Sequence, residues 1–124
     1  MRRILLLFTA FLVATSAVTL PTRAAEAPFE NSLMRLSEVL GSLHFLRNLC
    51  GEKGTRWRDE MQKLLDAEKP DETRRAKLVA SFNRGYRSFE GTYTKCTPSA
   101  TEAIALYMKE GETLTREVTD RYGN

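Results

Sequence analysis

Histidine, cysteine and tryptophan are scarce in this chain: one His, two Cys and one Trp among 124 residues. The scarcity removes whole classes of chemistry. A hydrolytic triad would need a nucleophile and an orienting carboxylate around His44, and no Gly-x-Ser-x-Gly elbow is present to supply the first. Di-metal helical bundles use Glu-x-x-His pairs, but the residue three before His44 is Gly41. Covalent haem requires Cys-x-x-Cys-His, whereas Cys50 is followed by Gly51, Glu52 and Lys53. Met34, Met61 and Met108 read as gap-fillers of an apolar core, so no metal and no cofactor is expected. Glu52, Asp59, Glu60, Glu68 and Glu90 are carboxylates of the type glycan hydrolysis uses, but none lies in an apolar context that would raise its pKa. His44 sits beside a leucine stripe and reads as a hydrogen-bonded boundary residue. Strand-period alternation, internal repeats and low-complexity tracts are also missing.

What is present begins with a targeting pattern. Arg2 and Arg3 precede an uncharged apolar or small stretch of about 17 residues, Ile4–Leu20, and Pro21 ends it. Thr22 and Ala24 place small residues where a signal peptidase reads them, so cleavage is expected after Ala24. A cut after Ala27 would leave Pro28 next in line, which disfavours it. A retained membrane anchor is the alternative, since such a run stands at the short limit for spanning a bilayer. The segmentation is therefore a signal peptide over 1–24, a short tail over 25–31 and a single domain over 32–123, exported to the periplasm.

Export changes the charge argument. Of the 19 Lys and Arg, the three at positions 2, 3 and 23 leave with the signal, so 16 cations face the 16 Asp and Glu. The whole-chain excess of +3 belongs to targeting. A nucleic-acid partner would need a basic stripe, and the remaining basic residues are interleaved with acids. Contact with a membrane is expected only through an uncleaved signal segment. An oxidising compartment also makes the two cysteines a disulfide pair with one intramolecular connectivity, Cys50 to Cys96.

Four helices account for the rest. Leu33, Leu36, Val39, Leu40, Leu43, Leu46 and Cys50 step by three and four behind a cap at Asn31 or Ser32. Trp57, Met61, Leu64 and Leu65 form a narrower stripe after Thr55. The third helix, from about Glu72 to Tyr93 behind Asp71, carries Val79, Phe82, Tyr86, Phe89 and Tyr93, the richest aromatic row of the chain. Gly85 within it costs about 1 kcal/mol relative to alanine and marks a place for close approach. The fourth opens at Thr97–Pro98 and carries Ile104, Tyr107, Gly111, Leu114, Val118 and Tyr122, with Gly123 ending it. Short loops imply antiparallel neighbours, hence an all-α, up-down-up-down four-helix bundle with both cysteines at one end.

The segments EVLGSLHFLRNLCGE, TRWRDEM, FNRGYRSF and YTKCT resemble a family of small exported proteins of Gram-negative bacteria, a domain of unknown function with two well-separated cysteines. The resemblance covers about Leu36 to Leu114. It implies the Cys50–Cys96 bridge and brings no catalytic residue.

The candidate interaction surface is Arg56, Trp57, Arg58, Asn83, Arg84, Tyr86 and Arg87, where arginines alternate with aromatics as they do in protein interfaces. The bland alternative is that Trp57 and Tyr86 are core and the arginines cover it with their stems. The function expected is a non-enzymatic periplasmic interaction or structural protein, an accessory factor in cell-envelope assembly whose partner is a protein or envelope component. The alternative is a helical bundle that binds a small ligand or cofactor.

Overall fold

The computed structural model describes residues 23–122, and side chains over 28–120. The proposed signal peptide lies outside the described residues, save for Arg23 and Ala24, as does Gly123. Four helices, α1 Arg23–Leu49, α2 Arg56–Glu68, α3 Glu72–Glu90 and α4 Pro98–Tyr122, make up the domain, with no strand among the described residues.

The leucine stripe of α1 behaves as its spacing predicts. Leu33, Leu36, Val39, Leu40, Leu43 and Leu46 are all buried, and the other helices pack around them with Trp57, Met61, Leu65, Leu78, Phe82, Ala100, Ile104, Leu114 and Val118. The helix starts earlier than expected. Residues 25–31, read as a tail because Pro28 suggested a break, are helical. Pro28 stands inside α1, where it has no N–H to give to the preceding turn, yet the helix continues through it. The turn that follows is held by Phe29, packed on the core, and by Glu30, bound to Arg74. Asn31 and Ser32 therefore lie within α1 rather than capping it.

Capping elsewhere follows the local chemistry. The Asp71 carboxylate accepts from the Arg74 N–H at 2.8 Å, and the Thr97 hydroxyl accepts from the Ala100 N–H at 3.1 Å, with Pro98 at the first position of α4. Thr55 makes no side-chain cap to the backbone; its hydroxyl donates to Asp59 instead. Between α1 and α2 the chain turns through Gly51 and Gly54 at φ of 106° and 128°, a region that favours glycine. Asn48 ties that turn together by donating to the His44 and Gly54 carbonyls and accepting from the Gly54 N–H.

α1 is the spine of the molecule. It packs against each of the other three helices, which scarcely meet one another. Its seam with α3 is the tightest. A Cβ on Gly41 would run into the Phe82 backbone carbonyl, and one on Gly85 into the Glu38 carbonyl and the Ser42 hydroxyl. The face that α3 turns to α1 is thus Leu78, Ser81, Phe82 and Gly85, all buried, while Val79, Tyr86, Phe89 and Tyr93 are only partly buried. Of the aromatic row only Phe82 enters the seam; the rest of the row flanks it. Two buried serines keep their hydrogen bonds local, Ser37 donating to the Leu33 carbonyl and Ser42 to the Glu38 carbonyl, while buried Ser81 donates across to the Met34 sulfur.

Partners advance along α3 as they advance along α1: Glu30 with Arg74, Met34 with Ser81, Glu38 with Arg84, Phe45 with Tyr86. Along α4 they run the other way. Ser32 meets Glu117, and Arg35 meets Glu110 through a bidentate pair at 2.6 and 2.9 Å. Arg74 also grips Glu68 at 2.7 Å, drawing the end of α2 to the start of α1 and α3. At the other pole Cys50 and Cys96 form the disulfide, with Cα atoms 4.9 Å apart. Cys96 lies six residues beyond α3, in the linker to α4, because α3 stops at Glu90 and the Gly91 and Tyr93 N–H groups turn back to the Arg87 and Phe89 carbonyls. Closing this loop is worth about 4 kcal/mol by the chain-entropy argument.

Candidate interaction grooves

Three consecutive residues at the start of α2 divide the surface. Trp57 is buried against the core, and its neighbours Arg56 and Arg58 fall on opposite sides of the helix. Each side is a groove.

The groove between α2 and α4 encloses about 530 Å³ and is floored by Leu36, Leu40 and Leu43 of α1. It exists because α2 and α4 both rest on α1 without closing on each other. Its rim carries both signs, Arg56 and Glu60 from α2, Lys109 and Glu112 from α4. The Arg56 guanidinium lies 4.8 Å from the Trp57 ring centroid and 3.7 Å from Glu52. Trp57 lines the groove at 7% exposure, and its Nε1 has no hydrogen-bond partner among the described residues. A buried N–H without an acceptor costs roughly 1–3 kcal/mol.

The groove between α2 and α3 is smaller, about 200 Å³. Met61, Leu65, Val79 and Phe82 form its apolar lining, and Arg58, Gln62, Arg75 and Asn83 its polar edge. Beside it the His44 ring lies tilted against two aromatics, 5.9 Å from Phe82 and 5.6 Å from Tyr86 between centroids. Burial, then the Arg58 charge, push the His44 pKa below its usual 6.5, with Asp59 opposing.

The seven residues of the anticipated surface therefore do not form one patch. Arg56 and Trp57 serve the wide groove; Arg58 and Asn83 serve the narrow one. Tyr86 packs edge-on against Phe45 at 5.4 Å, and Arg84 is engaged with Glu38 at 3.3 Å. Arg87 is exposed near the end of α3, outside both grooves. Sequence reasoning missed Lys109, Glu112 and Arg75. Arg75 was findable: it stands four residues before Val79 and eight before Asn83, on one row of α3. The α4 residues were not, since nothing local announces that α2 and α4 stay apart.

Elsewhere the titrating groups do structural work. The Arg35 guanidinium, lying 5.4 Å over the Tyr107 ring, donates to Glu110 and holds that carboxyl below the usual range. Among the described residues no three His, Cys, Asp or Glu side chains converge to hold a metal ion. No described helix is long and apolar enough to cross a membrane.

The arrangement defines a class: a small, disulfide-tied, all-α domain whose surface features are inter-helix grooves. Within that class the chain belongs to the family described as "Protein of unknown function (DUF2385)", whose profile matches residues 28–122. Comparison with curated proteins and with solved structures found no match.

Proposed function

We propose that this chain is an exported, non-enzymatic interaction protein of the cell envelope, an accessory factor that receives an amphipathic helix of a protein partner in the groove between α2 and α4. The observation that carries the reading is the groove itself: an apolar floor of leucines and a rim of both charges. A groove between two helices over a leucine floor suits a third helix, and a rim of both signs favours an occupant that also carries both. The bundle runs up-down-up-down in this reading, which the order of the α1–α3 and α1–α4 partners supports. The apolar run before Pro21 is removed after Ala24, and the disulfide agrees with a periplasmic destination. The non-catalytic reading rests on His44, wedged against Phe82 and Tyr86 and pressed toward its neutral form.

Site-specific photo-crosslinking in the periplasm tests it. A photoreactive residue at Thr115, on the groove, is expected to give a defined protein adduct; the same residue at exposed Glu102, outside it, is expected to give none. Equal labelling from both positions, or none from Thr115, would remove the groove from the reading. Fractionation with an N-terminal mass measurement checks the compartment: a chain beginning at Ala25 in the periplasm is expected, and a cytoplasmic chain retaining Met1 would refute export.

A second reading, a small-ligand binder, is favoured by one observation. The groove volume falls within the range of ligand pockets, roughly 300–1,000 Å³. A co-purified mass in native mass spectrometry, reduced in the Trp57→Phe variant, would support this reading over the first.

A further inference from the structure

The narrow groove differs from the rest of the surface in its charge accounting. Arg35, Arg47, Arg56, Arg74, Arg84 and Arg116 each face a carboxylate within the domain. Among the described residues, the guanidinium groups of Arg58, Arg75 and Arg87 have no such partner. Two of those three, Arg58 from α2 and Arg75 from α3, meet at one groove. The Asn83 amide beside them is exposed and makes no hydrogen bond among the described residues. The acids next to them on α2 bond elsewhere, Asp59 accepting from the Thr55 hydroxyl and Asp66 from the Gln62 amide, and neither forms an ion pair with Arg58 or Arg75.

We propose that this groove is a second docking site, which takes a short acidic peptide segment with an apolar side chain between its carboxylates. The apolar side chain would lie on Val79 and Phe82, and the flanking carboxylates would face Arg58 and Arg75, whose planar guanidinium groups suit bidentate pairing. The volume of about 200 Å³ holds one or two side chains, which limits the occupant to a short motif rather than a whole helix. The inference is independent of the groove on the other side of α2, because the two share neither arginine nor apolar lining.

Fluorescence anisotropy on the full mature chain with its disulfide intact tests the proposal. Three labelled, end-capped octapeptides serve as probes: one of Asp and Glu around a central Leu-Phe pair, one with that pair replaced by Ser, and one with the acids replaced by Lys. Only the first is expected to bind, and weakening is expected as salt rises. Arg58→Glu and Arg75→Glu are each expected to weaken it about tenfold or more, since each reversal turns an attraction for the peptide's carboxylates into a repulsion. Arg116→Glu on α4 is expected to leave it unchanged. Both groove arginines are exposed, so unchanged melting curves would show that these variants remain folded. The proposal is overturned if no peptide binds, if the Ser peptide binds as well as the Leu-Phe peptide, or if Arg116→Glu weakens binding as much as the groove variants. Binding to anionic phospholipid vesicles in place of the peptide would also overturn it.

Discussion

The two walls that face α2 are mounted on α1 differently. α3 lies backbone against backbone, through Gly41 and Gly85, and the disulfide secures the chain just beyond its end. α4 is held through side chains, by Arg35 with Glu110, Ser32 with Glu117, and Val39 against Gly111, where an added Cβ would stand 3.3 Å from Cγ1. The tightly seated wall leaves a narrow, cationic groove, while the side-chain-mounted wall leaves a wide one with balanced charge. The difference teaches that two properties are set separately here: how closely each wall is seated goes with groove width, and the residues that line it set its charge.

The largest way to break the comparison is to cut the disulfide. Replacing Cys50 and Cys96 by serine is expected to cost about 4 kcal/mol, lowering the melting temperature by roughly 15 °C or more in a calorimetric scan. Next comes the seam. Gly85→Ala is expected to destabilise by about 3 kcal/mol in urea unfolding, because the obstacle is the Glu38 backbone carbonyl, which cannot rotate away. Gly111→Ala is expected to change stability by no more than about 1 kcal/mol, since the Val39 methyl can give way and helix propensity improves. Equal effects of the two alanines would erase the distinction between the walls.

Smaller effects sharpen it. Glu110→Gln is expected to cost about 1 kcal/mol or less at neutral pH, because both side chains of its ion pair with Arg35 are a little over a third exposed. The Glu110 pKa is depressed in the folded state. Its contribution is therefore present above the usual 4.5 and lost as pH falls from there through the lowered value, and the variant should lack that part of the acid slope. On the α3 side the window is higher. His44 is also depressed, so the unfolded chain binds its proton first, and stability falls as pH drops below about 6.5. Melting temperatures from pH 7.5 to 5 should fall less in His44→Gln than in the parent. Smallest of all, Arg58→Ala should shift stability by less than about 0.5 kcal/mol, as expected of an exposed side chain without a partner among the described residues.

Which parts were legible in the sequence follows from these contacts. Every leucine and valine of the α1 stripe is buried because spacing alone selects the face when one row is uniformly large and apolar. The disulfide was legible from cysteine number and targeting pattern. On α3 the same reasoning was drawn to the aromatic row, of which only Phe82 enters the seam, and the closest contact runs through the Phe82 backbone and Gly85. A hydropathy stripe registers what side chains bury and says nothing of where a missing side chain lets two backbones approach. Gly85 hinted at this, but Gly41, its counterpart on α1, gave no periodic signal. The candidate surface was half legible: Arg56, Trp57, Arg58 and Asn83 do line grooves, yet alternation in sequence could not reveal that α2 sends its first two arginines to different sides.

Because a single rod forms one bank of both channels, their widths trade against each other. Any swing of α2 toward α3 enlarges the leucine-floored channel at the expense of the arginine-edged one, and the reverse swing does the opposite. Two guests that each push α2 aside would therefore compete without touching, each weakening the other by the same factor.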